Sequence, residues 1–361
     1  LLFFLIYVLI SKPPLDSIKK GKYDVLILKG GKFMQDIIEF QLKSNSGFTV
    51  KILNLGGIIT EIMAKDQAGN RSNVVLNYED FTDYWTNPLF IGCFVGPVAG
   101  RTLEGKLPLG EQNYQLDCSI NENALHSGKD GLHNVIWSLA SSSEDHVKFT
   151  LIHPYLEANP FEVIYELTYS VKDEALTIEY TATPSEPAYF SLTNHSYFNL
   201  SGNLDTSIES HYLKLNASHY ARLNALSLPI QLVPLKDSDL DFSESRPLSE
   251  IIHSDAEDIT GARGIDHPFK ANGIDPLVEL TDPQSGRKLR VKTTQPYSVI
   301  YSGNYLDSTM SSSGHQFNNR TGICFETQDL TNVANSNLDE LKLSYKDQPY
   351  KHQTAFDFDP N

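Results

Sequence analysis

From Phe40 onward, apolar and polar residues alternate in short runs separated by turn-forming residues, a spacing that predicts strands. The runs at 48–55, 162–171, 175–183, 211–217, 277–281, 288–294, 297–301 and 351–358 are rich in β-branched and aromatic side chains. Between such runs lie Asp66-Gln67-Ala68-Gly69-Asn70, Asn159-Pro160, Val171-Lys172-Asp173-Glu174 and Asp282-Pro283-Gln284-Ser285-Gly286, whose Gly, Asn, Asp and Pro supply turn geometry. No long segment sustains a helical period, and short helices are predicted only around 78–84 and 247–252. No repeat, low-complexity stretch or linker divides residues 34–361. The pattern therefore predicts an all-β fold: one large antiparallel β-sandwich, with two sheets burying a shared core and one concave face open.

Composition narrows the partners. The chain of 361 residues carries 45 acidic against 29 basic side chains, a formal net charge of −16, which repels phosphate backbones and anionic headgroups. Neither nucleic acid nor a membrane is an expected partner. Cys93, Cys118 and Cys324 are widely spaced and show no metal-type pairing, so they read as reduced thiols. Eighteen Tyr and eighteen Phe against three Met suit a sheet-rich protein with aromatic surfaces.

Residues 1–33 stand apart. The opening Leu1-Leu2-Phe3-Phe4-Leu5-Ile6-Tyr7-Val8-Leu9-Ile10 is apolar but too short to span a bilayer, and it lacks the basic start and cleavage site of a signal peptide. The first methionine is Met34, preceded by Lys29-Gly30-Gly31-Lys32, the reading a purine-rich ribosome-binding site would give if translated. The expectation is a non-native or leader extension over 1–33 and a cytoplasmic protein of one domain over 34–361. A truncated export signal is the alternative and would place it outside the cytoplasm.

Five places carry candidate chemistry. Alternation along 189–197 puts Tyr189, Ser191, Thr193, His195 and Tyr197 on one face, a polar and aromatic set that predicts a cleft wall with His195 as a general acid. The competing reading is a histidine satisfied within a sheet. Glu326 interrupts the apolar run Gly322-Ile323-Cys324-Phe325-Glu326-Thr327-Gln328, where an unpaired carboxylate is costly and needs a reason. The turn Gly96-Pro97-Val98-Ala99-Gly100-Arg101 delivers Arg101, whose planar fork suits a substrate oxygen or a surface ion pair. His126 sits in a loop. In Ile265-Asp266-His267-Pro268 an extended path sends adjacent side chains to opposite faces, so at most one of Asp266 and His267 enters a cleft. An acid and a base with these residues around them suit proton transfer on a neutral polyhydroxylated molecule. No nucleophile elbow, cofactor loop or metal motif competes in the sequence.

Taken together, these stretches resemble the aldose 1-epimerases, or galactose mutarotases. The similarity runs from about Ile37 to Phe358. It includes Leu55-Gly56-Gly57, Tyr78-Glu79-Asp80-Phe81, Ala124-Leu125-His126, Thr193-Asn194-His195-Ser196-Tyr197-Phe198-Asn199-Leu200, Ile265-Asp266-His267-Pro268-Phe269, Tyr301-Ser302-Gly303-Asn304 and Phe325-Glu326-Thr327-Gln328. The resemblance implies a β-sandwich that binds a monosaccharide, a free hexose such as galactose or glucose, without metal or organic cofactor, as a monomer or homodimer. It implies Glu326 as general base at the anomeric hydroxyl, His195 as acid at the ring oxygen, His126 assisting there, and Arg101 and Asp266 holding sugar hydroxyls.

The chain departs from the family in two places. Gly96-Pro97-Val98-Ala99-Gly100-Arg101 stands where Gly-Arg-aromatic-Ala-Asn-Arg is common, so one arginine and the asparagine are missing. Ser127-Gly128 replaces the usual double glycine, a change expected to be tolerated. Two other functions stay open at this point: a non-catalytic sugar-binding protein on the same sandwich, and a glycoside hydrolase using Asp266 and Glu326, which would require carboxylates about 5–9 Å apart.

Overall fold

A computed structural model describes residues 37–157, 160–306 and 316–358. The expectation for residues 1–33 lies outside them, as does Asn159 of the turn at 159–160. Strand formation follows the alternation. Along Glu162–Lys172, Val163, Tyr165, Leu167, Tyr169 and Val171 are buried and the residues between them are more exposed. Ala175–Pro184 repeats the pattern and pairs with it from Val163↔Pro184 to Lys172↔Ala175. Asp173, at φ 53°, turns the hairpin in a conformation that aspartate tolerates.

Three sheets organise these strands. The largest has nine, in spatial order Ser138–Ser142, His146–Pro154, Glu162–Lys172, Ala175–Pro184, Tyr350–Asp357, Lys288–Thr293, Val278–Thr281, Tyr212–Leu215 and Arg246–Pro247. A six-stranded sheet runs Tyr197–Phe198, Ile323–Gln328, Tyr297–Tyr301, Asp266–Ala271, Ala217–Leu223, Pro229–Pro234, and a four-stranded meander covers Glu39–Lys43 to Arg71–Asn73. Their pairings are antiparallel. The eight runs predicted from 48–55 to 351–358 all form strands, with ends moved by at most a few residues.

The core lies between the nine- and six-stranded sheets. The ring of Phe198 stands 5.9 Å from Phe325 in its own sheet and 5.1 Å from Phe356 in the opposite one. Full burial of one such ring contributes about 1.5–3 kcal/mol. In the six-stranded sheet, His267, Ile300 and Phe325 are aligned by register on the core face. The alternate residues point the other way, toward a cleft.

Two expectations change. The 78–84 segment forms only a 3₁₀ turn at Phe81–Trp85, capped by the Asp80 carboxylate accepting from the Thr82 N–H. Leu248–Ile252 is helical as expected, but so is Glu257–Ala262, six residues with no side-chain cap and no apolar period to announce them. The larger correction concerns 189–197. It is not one strand with a continuous cleft face but three two-residue strands, Ala188–Tyr189, Thr193–Asn194 and Tyr197–Phe198, each paired with a different partner. The changes of partner break the alternation. Tyr189 packs into the core, Thr193 is fully buried, and only His195 and Tyr197 of that set reach the cleft. Among the described residues, no helix is long and apolar enough to cross a membrane.

Candidate active site

The cleft has a volume of about 360 Å³. Its floor is the second face of the six-stranded sheet, and the register fixes which side chains stand beside one another. Asp266 is opposite Tyr301, which is opposite Cys324, which is opposite Tyr197. One step along, Pro268, Val299 and Glu326 form the next row. Glu326 thus has two apolar row neighbours, and it is only 4% exposed. A carboxylate so placed is poorly solvated. Burial pushes Glu326 up to about 8, with Asp266 adding to the rise and Arg101 opposing it.

His195 comes from the irregular segment that broke the predicted strand. Its backbone N–H donates to the Cys93 carbonyl at 2.8 Å, and its carbonyl accepts the Gly92 N–H at 3.0 Å. The Asn194 amide donates to the Gly92 carbonyl at 3.0 Å, clamping the same segment. The imidazole therefore has a fixed origin. Nε2 of His195 lies 3.6 Å from Oε1 of Glu326, too far for a direct hydrogen bond but a distance that substrate can close. Burial lowers His195 to about 4.

Arg101 and His126 arrive on two paired segments, Arg101–Thr102 and Ala124–Leu125. The His126 N–H donates to the Gly100 carbonyl at 3.0 Å, and the Gly100 N–H donates to Nδ1 of His126 at 3.2 Å. Gly100 is at φ +77°, and a Cβ there would meet Thr331 Oγ1 at 2.8 Å. That space is filled by Thr331, which lines the cleft with Gln328. Ser127, at φ 67°, occupies the left-handed conformation that the usual glycine would favour. Its hydroxyl accepts from the Val98 N–H at 2.9 Å and donates to the Val98 carbonyl at 3.1 Å.

Asp266 reaches the cleft and pairs with Arg101 at 3.4 Å. Burial raises its pKa to about 6 against the pull of that guanidinium. His267 turns into the core, as the extended path requires. Phe90 closes the wall, its ring 4.7 Å from His126, 4.9 Å from His133 and 6.0 Å from His195.

All five residues singled out from the sequence line this one cleft. Phe90, Gln328, Thr331 and the Leu223–Pro229 side of the mouth were not anticipated, nor was His133, which packs against Phe90. His133 had a faint signal, a second histidine just beyond the glycines of 128–131; the others belong to ordinary apolar or polar stretches.

Ligand atoms of His126, His195 and Glu326 lie within 4.8 Å of one another, a spread that a metal ion spans. The hydrogen bonding of His126 does not suit that role. Its Nδ1 is occupied as an acceptor, which leaves the proton of the neutral ring on Nε2, so neither nitrogen offers a free lone pair. Burial lowers the pKa of this ring well below the ordinary value, keeping it neutral. The set fits proton transfer and hydrogen bonding better than metal ligation.

Residues 39–357 match the family model for aldose 1-epimerase. The chain is 30% identical over 326 residues to galactose mutarotase of Rattus norvegicus, covering 89% of this chain and 93% of the relative. It is 28% identical over 302 residues to aldose 1-epimerase of Haemophilus influenzae, with 81% and 87% covered. The crystal structure of galactose 1-epimerase from Lactobacillus acidophilus superposes with a TM-score of 0.80 at 26% identity, covering 94% of this chain and 98% of that one. A homologue from C. elegans shares the fold, with a TM-score of 0.81 at 22% identity over 90% of this chain and 99% of that one.

Proposed function

Because the chain belongs to the aldose 1-epimerase family and is a mutarotase, an isomerase of free sugars, we propose that Glu326 and His195 are its base and acid. The observation that carries this is their facing approach, Oε1 to Nε2 at 3.6 Å, in a cleft shared with Arg101, His126 and Asp266.

Glu326 takes the proton of the anomeric hydroxyl while Nε2–H of His195 protonates the ring oxygen. The bond between the anomeric carbon and the ring oxygen breaks, leaving an open-chain aldehyde. Rotation about the bond to the second carbon presents the other carbonyl face, and reversal of both transfers closes the ring as the opposite anomer. Nε2–H of His126 donates to the same oxygen, and Arg101 and Asp266 hold hydroxyls.

Burial favours the neutral forms, with the proton of the pair on the carboxyl. The reactive form, carboxylate and imidazolium, holds the same number of protons. Sugar hydroxyls that donate to Glu326 favour its charged form and shift the pair toward it.

We read the substrate as a free hexose such as galactose or glucose, and the protein as a cytoplasmic monomer or homodimer. Cys93 and Cys324, free and buried, support a reducing compartment. Polarimetry of freshly dissolved α-galactose and α-glucose tests the reading. Faster approach to equilibrium with the protein is expected, and its absence with both sugars would defeat the substrate assignment.

A further inference from the structure

The two nitrogens of His195 have different neighbours. Nε2 faces Glu326, while Nδ1 lies 3.5 Å from Sγ of Cys324. Cys324 is fully buried two residues before Glu326, so both side chains leave the same face of one strand. The register sets Cys324 between Tyr197 and Tyr301, whose rings stand 5.0 and 6.5 Å from that of His195. The sulfur backs the imidazole from the side away from the base.

We propose that Cys324 is a positioning residue for proton transfer, holding Nδ1 of His195 through both charge states so that Nε2 stays aimed into the cleft. A thiol suits the task because its sulfur is a weak acceptor that does not compete for the proton. The ring that has given up Nε2–H keeps its other hydrogen on Nδ1, so sulfur accepts Nδ1–H in the neutral ring as it does in the imidazolium. The ring can gain and lose a proton without turning.

His126 shows the contrast. Its Nδ1 faces the Gly100 N–H, which can only donate, so a proton there would break that bond. His126 is thereby confined to giving a hydrogen bond, and the travelling proton belongs to His195. Burial holds the Cys324 thiol well above its ordinary pKa, so no thiolate forms to trap the imidazolium.

This proposal rests on His195 as the acid. The test compares Cys324→Ser, Cys324→Ala and Cys324→Val in the full chain, following kcat and KM for α-galactose from pH 4 to 9 and the imidazole ¹⁵N signals of His195. Glu326, His126, His133, Asp266, Tyr197 and Tyr301 surround the contact and stay unchanged. Serine also accepts, so kcat should stay within about threefold of the parent. Alanine and valine should lower kcat by about tenfold, with KM moving less than about twofold, and should displace the Nδ1 signal. Valine retains side-chain volume if alanine fails to fold. Parent-like kcat and Nδ1 signal in the alanine or valine variant would overturn the proposal, as would a folded serine variant as impaired as valine. Full turnover by His195→Ala, with the Nδ1 signal of the parent still sensitive to Cys324, would instead overturn the acid assignment and the proposal with it.

Discussion

Nε2 of His195 and Oε1 of Glu326 face each other at 3.6 Å, and burial displaces their acidities in opposite directions, to about 4 and about 8. The pair therefore carries two protons below about 4, one between about 4 and 8, and none above. Only the singly protonated pair can move a proton each way.

The pH dependence of kcat/KM should be a bell with limbs near 4 and 8, and a rise near 6 as Asp266 ionises and gains strength as a hydroxyl acceptor. Polarimetric rates corrected for spontaneous mutarotation will show it. A profile flat from 4 to 9 would remove this pair from the reaction.

Glu326→Gln and His195→Ala should each lower kcat by about 10²–10⁴-fold while the fold persists. Circular dichroism and stopped polarimetry on the same preparations would separate the two effects. Near-parental turnover in either variant would withdraw that residue's role.

Stability should respond to the same carboxyl. Glu326 titrates near 8 in the folded chain against an ordinary 4.5, so between those values the native state binds more protons than the unfolded one. Stability contributed by this group then falls as pH rises through that window. Glu326→Gln removes the titration. Its melting temperature should match the parent at pH 4 and exceed it increasingly toward pH 8; a gap independent of pH would contradict the burial argument.

Much of this site is legible in the sequence. A strand such as Ile323–Gln328 announces itself by apolar residues, and one carboxylate among them is conspicuous because its burial needs a reason. Asp266 and His267 could be assigned to opposite faces from strand geometry alone. What stayed hidden depends on long-range pairing. Thr193 and Tyr189 looked like cleft residues because local alternation cannot reveal that this segment pairs with three different partners in turn. Nor does Thr331 advertise that it fills the space beside Gly100. The convergence of residues scattered from 101 to 326 followed from resemblance, and the register now supplies its physical cause.

That filled space yields a paired prediction. Gly100→Ala places a methyl 2.8 Å from Thr331 Oγ1 and 2.9 Å from Cγ2, at φ +77°. It should raise KM and destabilise by about 1–3 kcal/mol. Adding Thr331→Ala removes both atoms and should recover part of each loss. Additive losses in the double variant would show that the two positions do not compete for volume.

Ser127 can be tested by stability alone. Ser127→Ala leaves the Val98 N–H, now bonded at 2.9 Å, without its partner. Urea unfolding should register a loss of about 1–3 kcal/mol. A loss below about 0.5 kcal/mol would mean that another acceptor takes over.

The six-stranded sheet has a consequence for how such an enzyme can diverge. Phe325 and Glu326 are chain neighbours, yet one faces the hydrophobic core and the other the sugar cleft; Ile300 and Tyr301 divide the same way. Along these strands, inheritance can rewrite alternate positions independently. A lineage can trade one hydroxyl contact for another without passing through sequences that fail to fold. The scaffold keeps the cost of exploring new sugars low, because the residues that choose the substrate are largely distinct from those that hold the sheets together.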